Sequence, residues 1–347
     1  MQMSFQLLNG LARPSRACAA LSLFMLGYVA ELRADPVAGG GSRVGGNPYA
    51  SVWSVGTKSS ARLIAAPAAA SGPYRAGVEI QLAAGAHTYW RSPGEAGVPP
   101  VFDFTGSENV KNAVVSYPAP ARVDEAGFEL FGYRGDVVFP VDIELADDSR
   151  PAVLALTLDY AVCGDICLPV KARAKLALPA RPGAGAAPIE PAPEAASINE
   201  ARAKTPLRLD DAARDAKIAI VRVADIVRPS WLVRVKPEPQ AAGSGDPERA
   251  AADVFVEFPE GWYFETKKTD RPDEFLIVEI EAPKPQSVAA AANVATDAAA
   301  VIPVTITLAR PRQSYEFTLD LGKIAERPSL AHAAEPALAN APAGVKQ

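Results

Sequence analysis

From Val52 onward, apolar and polar residues alternate in short runs separated by turn-forming residues. SARLIAAP (60–67), GVEIQLAAG (77–85), PVFDF (100–104), FELFGYR (128–134), VVFPVDIELA (137–146), VLALTLDYAVC (153–163) and AKLALPA (174–180) form a first series. Within it, Val141, Ile143 and Leu145 point one way and Asp142, Glu144 and Ala146 the other. That period of two is the mark of a strand with one wet face. A second series follows: WLVRVKP (231–237), DVFVEFP (253–259), EFLIVEIEAP (274–283), VIPVTITLAR (301–310) and YEFTLDL (315–321). Many short strands with frequent turns predict an all-β chain of two β-sandwiches.

The divisions follow composition. Residues 49–180 hold the first series and 205–328 the second. Residues 181–204 begin as RPGAGAAPIEPAPEAAS, which has little to bury and predicts a Pro/Ala-rich linker. Short helical stretches are expected at INEARAKTP (198–206) and around DDAARDAKIA (210–219), and a loop or short helix at 286–299. A flexible Gly-rich segment is expected at 35–48 and a frayed tail at 329–347. The two halves also share a weak repeat. Pro140–Leu145 precedes Thr157-Leu158-Asp159, and Pro303–Leu308 precedes Thr318-Leu319-Asp320, which predicts a similar closing hairpin in each.

The N-terminus changes the picture of where the protein acts. Arg13 and Arg16 precede an apolar run of about 14 residues, 17–30. That is too short for a spanning helix, which needs about 20 residues, and fits a signal peptide over 1–34. The expectation is export, as a soluble protein after cleavage. Cys18 would leave with the leader. Export permits the remaining cysteines, Cys163 and Cys167, to oxidise.

Composition narrows the chemistry. The chain has 347 residues, 49% of them hydrophobic, with 35 basic and 40 acidic side chains for a net charge of -5. Without a basic field or a Lys/Arg stripe, nucleic acid is not an expected partner. Three cysteines cannot make a disulfide-stapled scaffold or a four-thiolate zinc site, and the two histidines, His87 and His332, cannot form a three-histidine site. Ser107 has no recognisable histidine–acid partners. The sequence GGGSRVGG (39–46) lacks the strand–helix context and the Lys-Ser/Thr ending of a phosphate loop. No cofactor or metal is expected.

The remaining candidate is Cys163-Gly164-Asp165-Ile166-Cys167. Gly-Asp after a strong strand pattern predicts a bend or tight hairpin, and such a turn can bring its flanking positions to bridging distance. A loop this short gains little from a cross-link, which makes stability a poor reason for one and thiol–disulfide exchange a better one. A static bridge between neighbouring strands and a two-sulfur metal site stay open beside it. Asp165 would tend to raise a neighbouring thiol's pKa or could take part in proton transfer.

GAHTYWRSPGEAGVPPVFDFTGSENV (85–110), YPAP (117–120), VVFPVDIEL (137–145) and LDYAVCGDICLPVKARAKLAL (158–178) together resemble the N-terminal periplasmic domain of the DsbD thiol:disulfide interchange family. The resemblance is strongest to the ScsB-type variant, the suppressor-of-copper-sensitivity proteins. It covers roughly residues 50–180, with a weaker likeness over 205–325. It implies an immunoglobulin-like sandwich in which Cys163 and Cys167 are the redox pair. It further implies electrons received from a membrane carrier and passed to periplasmic oxidoreductases of the thioredoxin fold, as a component of a protein-disulfide reductase system. Tyr160 precedes the pair, and His87, Tyr89, Trp90 and Phe102 could shield it from non-cognate thiols; Trp90 also reads as core. Full family members continue into a membrane domain and a thioredoxin-like domain with its own CxxC. The expectation here is a stand-alone partner of a separately encoded membrane electron-transfer protein, or an adaptor that kept the domain without the electron supply. The competing expectation is a non-enzymatic periplasmic binding or copper-tolerance protein with a structural disulfide.

Overall fold

The computed structural model describes residues 47–69, 71–94, 96–125, 128–181, 192–224, 227–237, 252–283 and 301–327. The expected leader, nearly all of the Gly-rich segment, residues 182–191, the insertion at 286–299 and the tail lie outside the described residues.

The first half is built of β1 (Ser54–Val55), β2 (Ser59–Ala65), β3 (Tyr74–Leu82), β4 (His87–Gly94), β5 (Val101–Asp103), β6 (Val110–Val115), β7 (Ala121–Glu125), β8 (Phe128–Arg134), β9 (Val137–Leu145), β10 (Ala152–Cys163) and β11 (Leu168–Leu178). One sheet runs β1-β2-β3-β9-β6, the other β11-β10-β4-β8-β7 with β5 also on β10. Leu63, Val78, Ile80, Phe139 and Val141 of the first sheet and Leu154, Leu156, Leu158 and Leu176 of the second share one core. On β9, Val141, Ile143 and Leu145 turn inward while Glu144 is exposed, which follows from the alternation. β10 departs from it. Its even positions face the core, yet Ala161 and Cys163, near its C-terminal end, are buried as well. They join a small separate cluster with Tyr89, Val123 and Leu130.

Part of the expected linker is a docked helix, α1 (Pro193–Ala203). Pro193 opens it, Glu194 sits in its first turn and Arg202 in its last, which suits backbone preferences and the helix dipole. Ile198 is fully buried, and Arg202 makes a two-pronged ion pair to Asp142 at 2.6 and 3.1 Å. α1 therefore packs on the first half instead of spacing it from the second.

The second half comprises β12 (Leu207–Arg208), α2 (Asp211–Lys217), β13 (Ile218–Val223), β14 (Ser230–Val235), β15 (Asp253–Glu257), β16 (Tyr263–Lys268), β17 (Glu274–Glu281), β18 (Pro303–Ala309), β19 (Tyr315–Asp320), a 3-10 turn at Leu321–Lys323 and β20 (Glu326–Arg327). Its sheets run β12-β19-β18-β15 and β16-β17-β14-β13-β20 around a second core that includes Trp231, Val254, Phe275 and Ile306. The closing hairpin expected in both halves exists only in this one among the described residues. β18 pairs with β19, whereas β9 and β10 lie in different sheets, and β10 pairs instead with β11. A two-residue period matches any pair of strands, and so it carried no information about which strands pair.

The described residues form one compact unit. Phe255 of β15 is fully buried within the first half's core, edge-on to Phe131 at 5.0 Å and to Trp90 at 6.0 Å. Arg91 and Arg122 of the first half reach Glu257 and Asp253 of the same strand.

Candidate redox site

β10 and β11 pair without interruption from Ala152–Leu178 to Val162–Leu168, which leaves Cys163–Cys167 as the connection. Gly164 and Asp165 allow the bend, and the Gly164 amide donates to the Ile166 carbonyl at 3.3 Å. Pro169 is tolerated because β11 is an edge strand. The two cysteines form a disulfide with a Cα–Cα distance of 4.1 Å.

The sulfurs are not equivalent. Cys163 ends a central strand and is 0% exposed, whereas Cys167 and its neighbours Asp165 and Ile166 are exposed. Ile166 presents 59% of its surface, an uncommon position for a large aliphatic side chain. The Tyr89 hydroxyl lies 2.9 Å from Cys163 Sγ and 3.6 Å from Cys167 Sγ, and so reaches both partners of the bond. A phenol is both donor and acceptor, and it can donate to whichever sulfur holds negative charge.

β4 places Tyr89 there. It lies between β10 and β8, with His87 opposite Cys163 and Thr88 opposite Val162. The Thr88 hydroxyl donates to the Ala161 carbonyl at 2.8 Å. On the other side, Tyr89 pairs with Gly132, where a Cβ would stand 2.1 Å from the Thr88 carbonyl oxygen. Only glycine permits that approach. A Cβ on Gly97 would lie 2.8 Å from the Tyr89 ring, so the chain after β4 folds back over this side chain. His87 is buried, with its ring perpendicular to Tyr89 at 5.6 Å. On the solvent side, the Lys58 ammonium would stand 3.8 Å from a Cβ on Gly164.

Of the residues expected around the pair, His87, Tyr89 and Asp165 are brought together with it, and three are not. Tyr160 sits on the opposite face of β10, in the core, with its hydroxyl 2.7 Å from Ser59 Oγ. Trp90 points into the core toward Phe255. Phe102 packs on Phe139 and Tyr117, beside Leu158 of β10. The physical reason is strand alternation, since an odd separation turns a side chain to the other face. Lys58, Gly97 and Gly132 were not legible as site residues. Their nearness depends on folding, and nothing in GTKSS, EAGVPP or FGYRG marks them. Among the described residues, no group of three or more His, Cys, Asp or Glu side chains is gathered tightly enough to hold a metal ion.

Residues 60–179 match the family model described as the N-terminal region of the thiol:disulfide interchange protein DsbD. This bears out the resemblance seen in the sequence. The crystal structure of the N-terminal periplasmic domain of ScsB from Proteus mirabilis is similar with a TM-score of 0.55 at 20% identity. The likeness covers 80% of this chain and 99% of that one, more than the first sheet pair contains, so it takes in the second half as a likeness of fold. No curated protein sequence matches.

Proposed function

We propose that this chain is a periplasmic thiol–disulfide exchange module that passes reducing equivalents through Cys163 and Cys167. The observation that carries this reading is the asymmetry of the pair: one exposed sulfur, one buried sulfur, and a phenol touching both. A bridge that only braces a loop has no need of an exposed partner.

The chemistry follows from that geometry. A donor thiolate attacks Cys167 Sγ along the open side, the S–S bond breaks, and its electron pair goes to Cys163 Sγ. Tyr89 donates a hydrogen bond to that buried thiolate, which would otherwise be costly to form away from water. A second donor thiol then resolves the mixed disulfide and leaves both cysteines reduced. In the forward half-reaction the Cys167 thiolate attacks an acceptor disulfide. Cys163 then attacks Cys167 Sγ, restoring the bridge and releasing the acceptor as a dithiol. Electrons balance at two in each half. The buried sulfur is the resolving one, so thiols approaching from solvent meet only Cys167.

The partner set belongs to the same proposal. The donor is a membrane electron-transfer protein, and the acceptors are oxidoreductases of the thioredoxin fold, for which Ile166 offers an apolar contact beside the bond. Each sheet pair is read as an immunoglobulin-like sandwich, residues 49–180 carrying the redox pair and 205–328 carrying none, behind a leader at 1–34.

The test is a trap. Cys163→Ser leaves an attacking thiolate with no resolving partner, so mixed disulfides on Cys167 should accumulate and be released by reductant. Cys167→Ser should trap far fewer. If Cys163→Ser accumulates no mixed disulfide with any periplasmic thioredoxin-fold protein, the exchange reading is lost and the static bridge stands.

A further inference from the structure

We propose that the cysteine-free half is a working part of the redox site, and that Arg91 is the positioning residue through which it acts. The inference rests on the exchange reading above and adds to it a role for the half that carries no thiol.

β4 holds Tyr89 on the sulfurs, but its own ladder fails immediately afterwards. Its register on β8 jumps from Tyr89–Gly132 to Gly94–Leu130, so five steps along β4 match two along β8. The residues between bulge out of the sheet, as an excess on one strand requires. A bulge beside the side chain that must stay within hydrogen-bond reach of two sulfurs is a weak place to lose support.

The second half supplies that support. Trp90 meets Phe255. Arg91 grips Glu257 with Nε at 2.9 Å and Nη2 at 2.7 Å, and also reaches Glu316, which Arg208 holds at 3.1 Å. Glu316 is only 7% exposed. Burial opposes the charge on Arg91, but the hydrogen bonds and charges of Glu257 and Glu316 outweigh it, and its pKa is raised. A forked pair of this kind fixes direction as well as distance. It clamps β4 two residues from Tyr89.

A second clamp serves as an internal control. Arg122 of β7 bonds Asp253 at 2.9 and 3.0 Å and the carbonyls of Val254 and Thr266, so it ties the halves together from a strand that does not pair with β4. If the halves were merely glued, loosening either clamp would have the same consequence. If Arg91 positions Tyr89, its clamp bears directly on the strand that carries the phenol, whereas the Arg122 clamp reaches the sulfurs' cluster only through Val123.

The experiment uses the full chain and dithiothreitol as the reductant, following disulfide reduction by stopped flow. Glu257→Gln should slow reduction about fivefold, roughly the loss of one ordinary hydrogen bond, while Asp253→Asn should leave the rate within twofold. Tyr89→Phe should slow it similarly, and Tyr89→Phe/Glu257→Gln no further, because both changes act through one contact. Arg91→Lys, which keeps the charge and loses the fork, should match Glu257→Gln and guards against a folding defect in any single variant. Folded Glu257→Gln and Arg91→Lys proteins that react like wild type would overturn the proposal, as would equal slowing by Asp253→Asn or full additivity with Tyr89→Phe. If dithiothreitol fails to reduce the native wild-type bridge at all, it is the exchange reading that fails, not the coupling alone.

Discussion

The chemistry of this molecule depends on how differently it treats two identical side chains. Cys163 is enclosed at the end of a central strand and Cys167 stands in the open turn, although they are bonded to each other. Keeping Tyr89 against both requires close backbone approach, and Gly132 is the residue that allows it. A methyl group there would meet the Thr88 carbonyl oxygen at 2.1 Å, a contact that backbone atoms must move to relieve. Gly132→Ala should therefore destabilise the chain by about 1–3 kcal/mol, the usual cost of forcing an extra carbon into packed structure. It should also push β8 off β4 and slow thiol exchange. Urea denaturation at equilibrium and the dithiothreitol rate measure the two effects. An alanine variant as stable as wild type would mean that β4 and β8 are not pressed together here.

Strands explain both what the sequence revealed and what it concealed. The CxxxC turn was legible because Gly164 and Asp165 are turn formers at the end of a long alternating run, and that signal is local. Membership of the site was less so. His87, Tyr89 and Trp90 lie within four residues and are all bulky, but parity separates them: His87 and Tyr89 face the sulfurs' side and Trp90 faces the core. The same parity excluded Tyr160, three positions before Cys163. Gly132 and the Arg91 clamp were hidden, since both depend on strand neighbours far apart in the chain. Burial of aromatic side chains on these elements has a consequence in solution. Burial raises the pKa of Tyr74 to about 12, and it also raises Tyr117, Tyr160 and, most strongly, the buried Tyr133, whose hydroxyl donates to the Pro118 carbonyl at 2.8 Å. Below about pH 10 these phenols are neutral whether the chain is folded or not, so they leave stability flat. Above that value the unfolded chain releases protons that the folded chain retains, and stability falls as pH rises. The urea midpoint should hold steady from about pH 7 to 9 and then drop, with a shallower drop in Tyr133→Phe. A midpoint indifferent to pH up to about 11 would show that these hydroxyls are not enclosed.

Two sheet pairs with two cores would ordinarily unfold as two domains joined by a tether, and the alternating pattern alone suggests that arrangement. Phe255 argues otherwise. It is carried by β15 of the second half, yet it is fully buried among Trp90 and Phe131 of the first, with the Arg91 and Arg122 guanidiniums paired to acidic residues on the same strand. Neither half can open without exposing that ring or leaving those charges without partners, so their stabilities are coupled. Wild type should therefore melt in a single calorimetric transition whose calorimetric and van't Hoff enthalpies agree, the mark of one cooperative unit. Phe255→Ala removes a shared side chain and should cost about 3–5 kcal/mol. Because that loss falls on the coupling itself, the variant should separate into two transitions, with the disulfide reducible by dithiothreitol at a lower temperature than the first half's own melting. Two resolved transitions in the wild-type chain would show instead that the cores are independent, and the redox site would then have to hold Tyr89 in place without help from the second half.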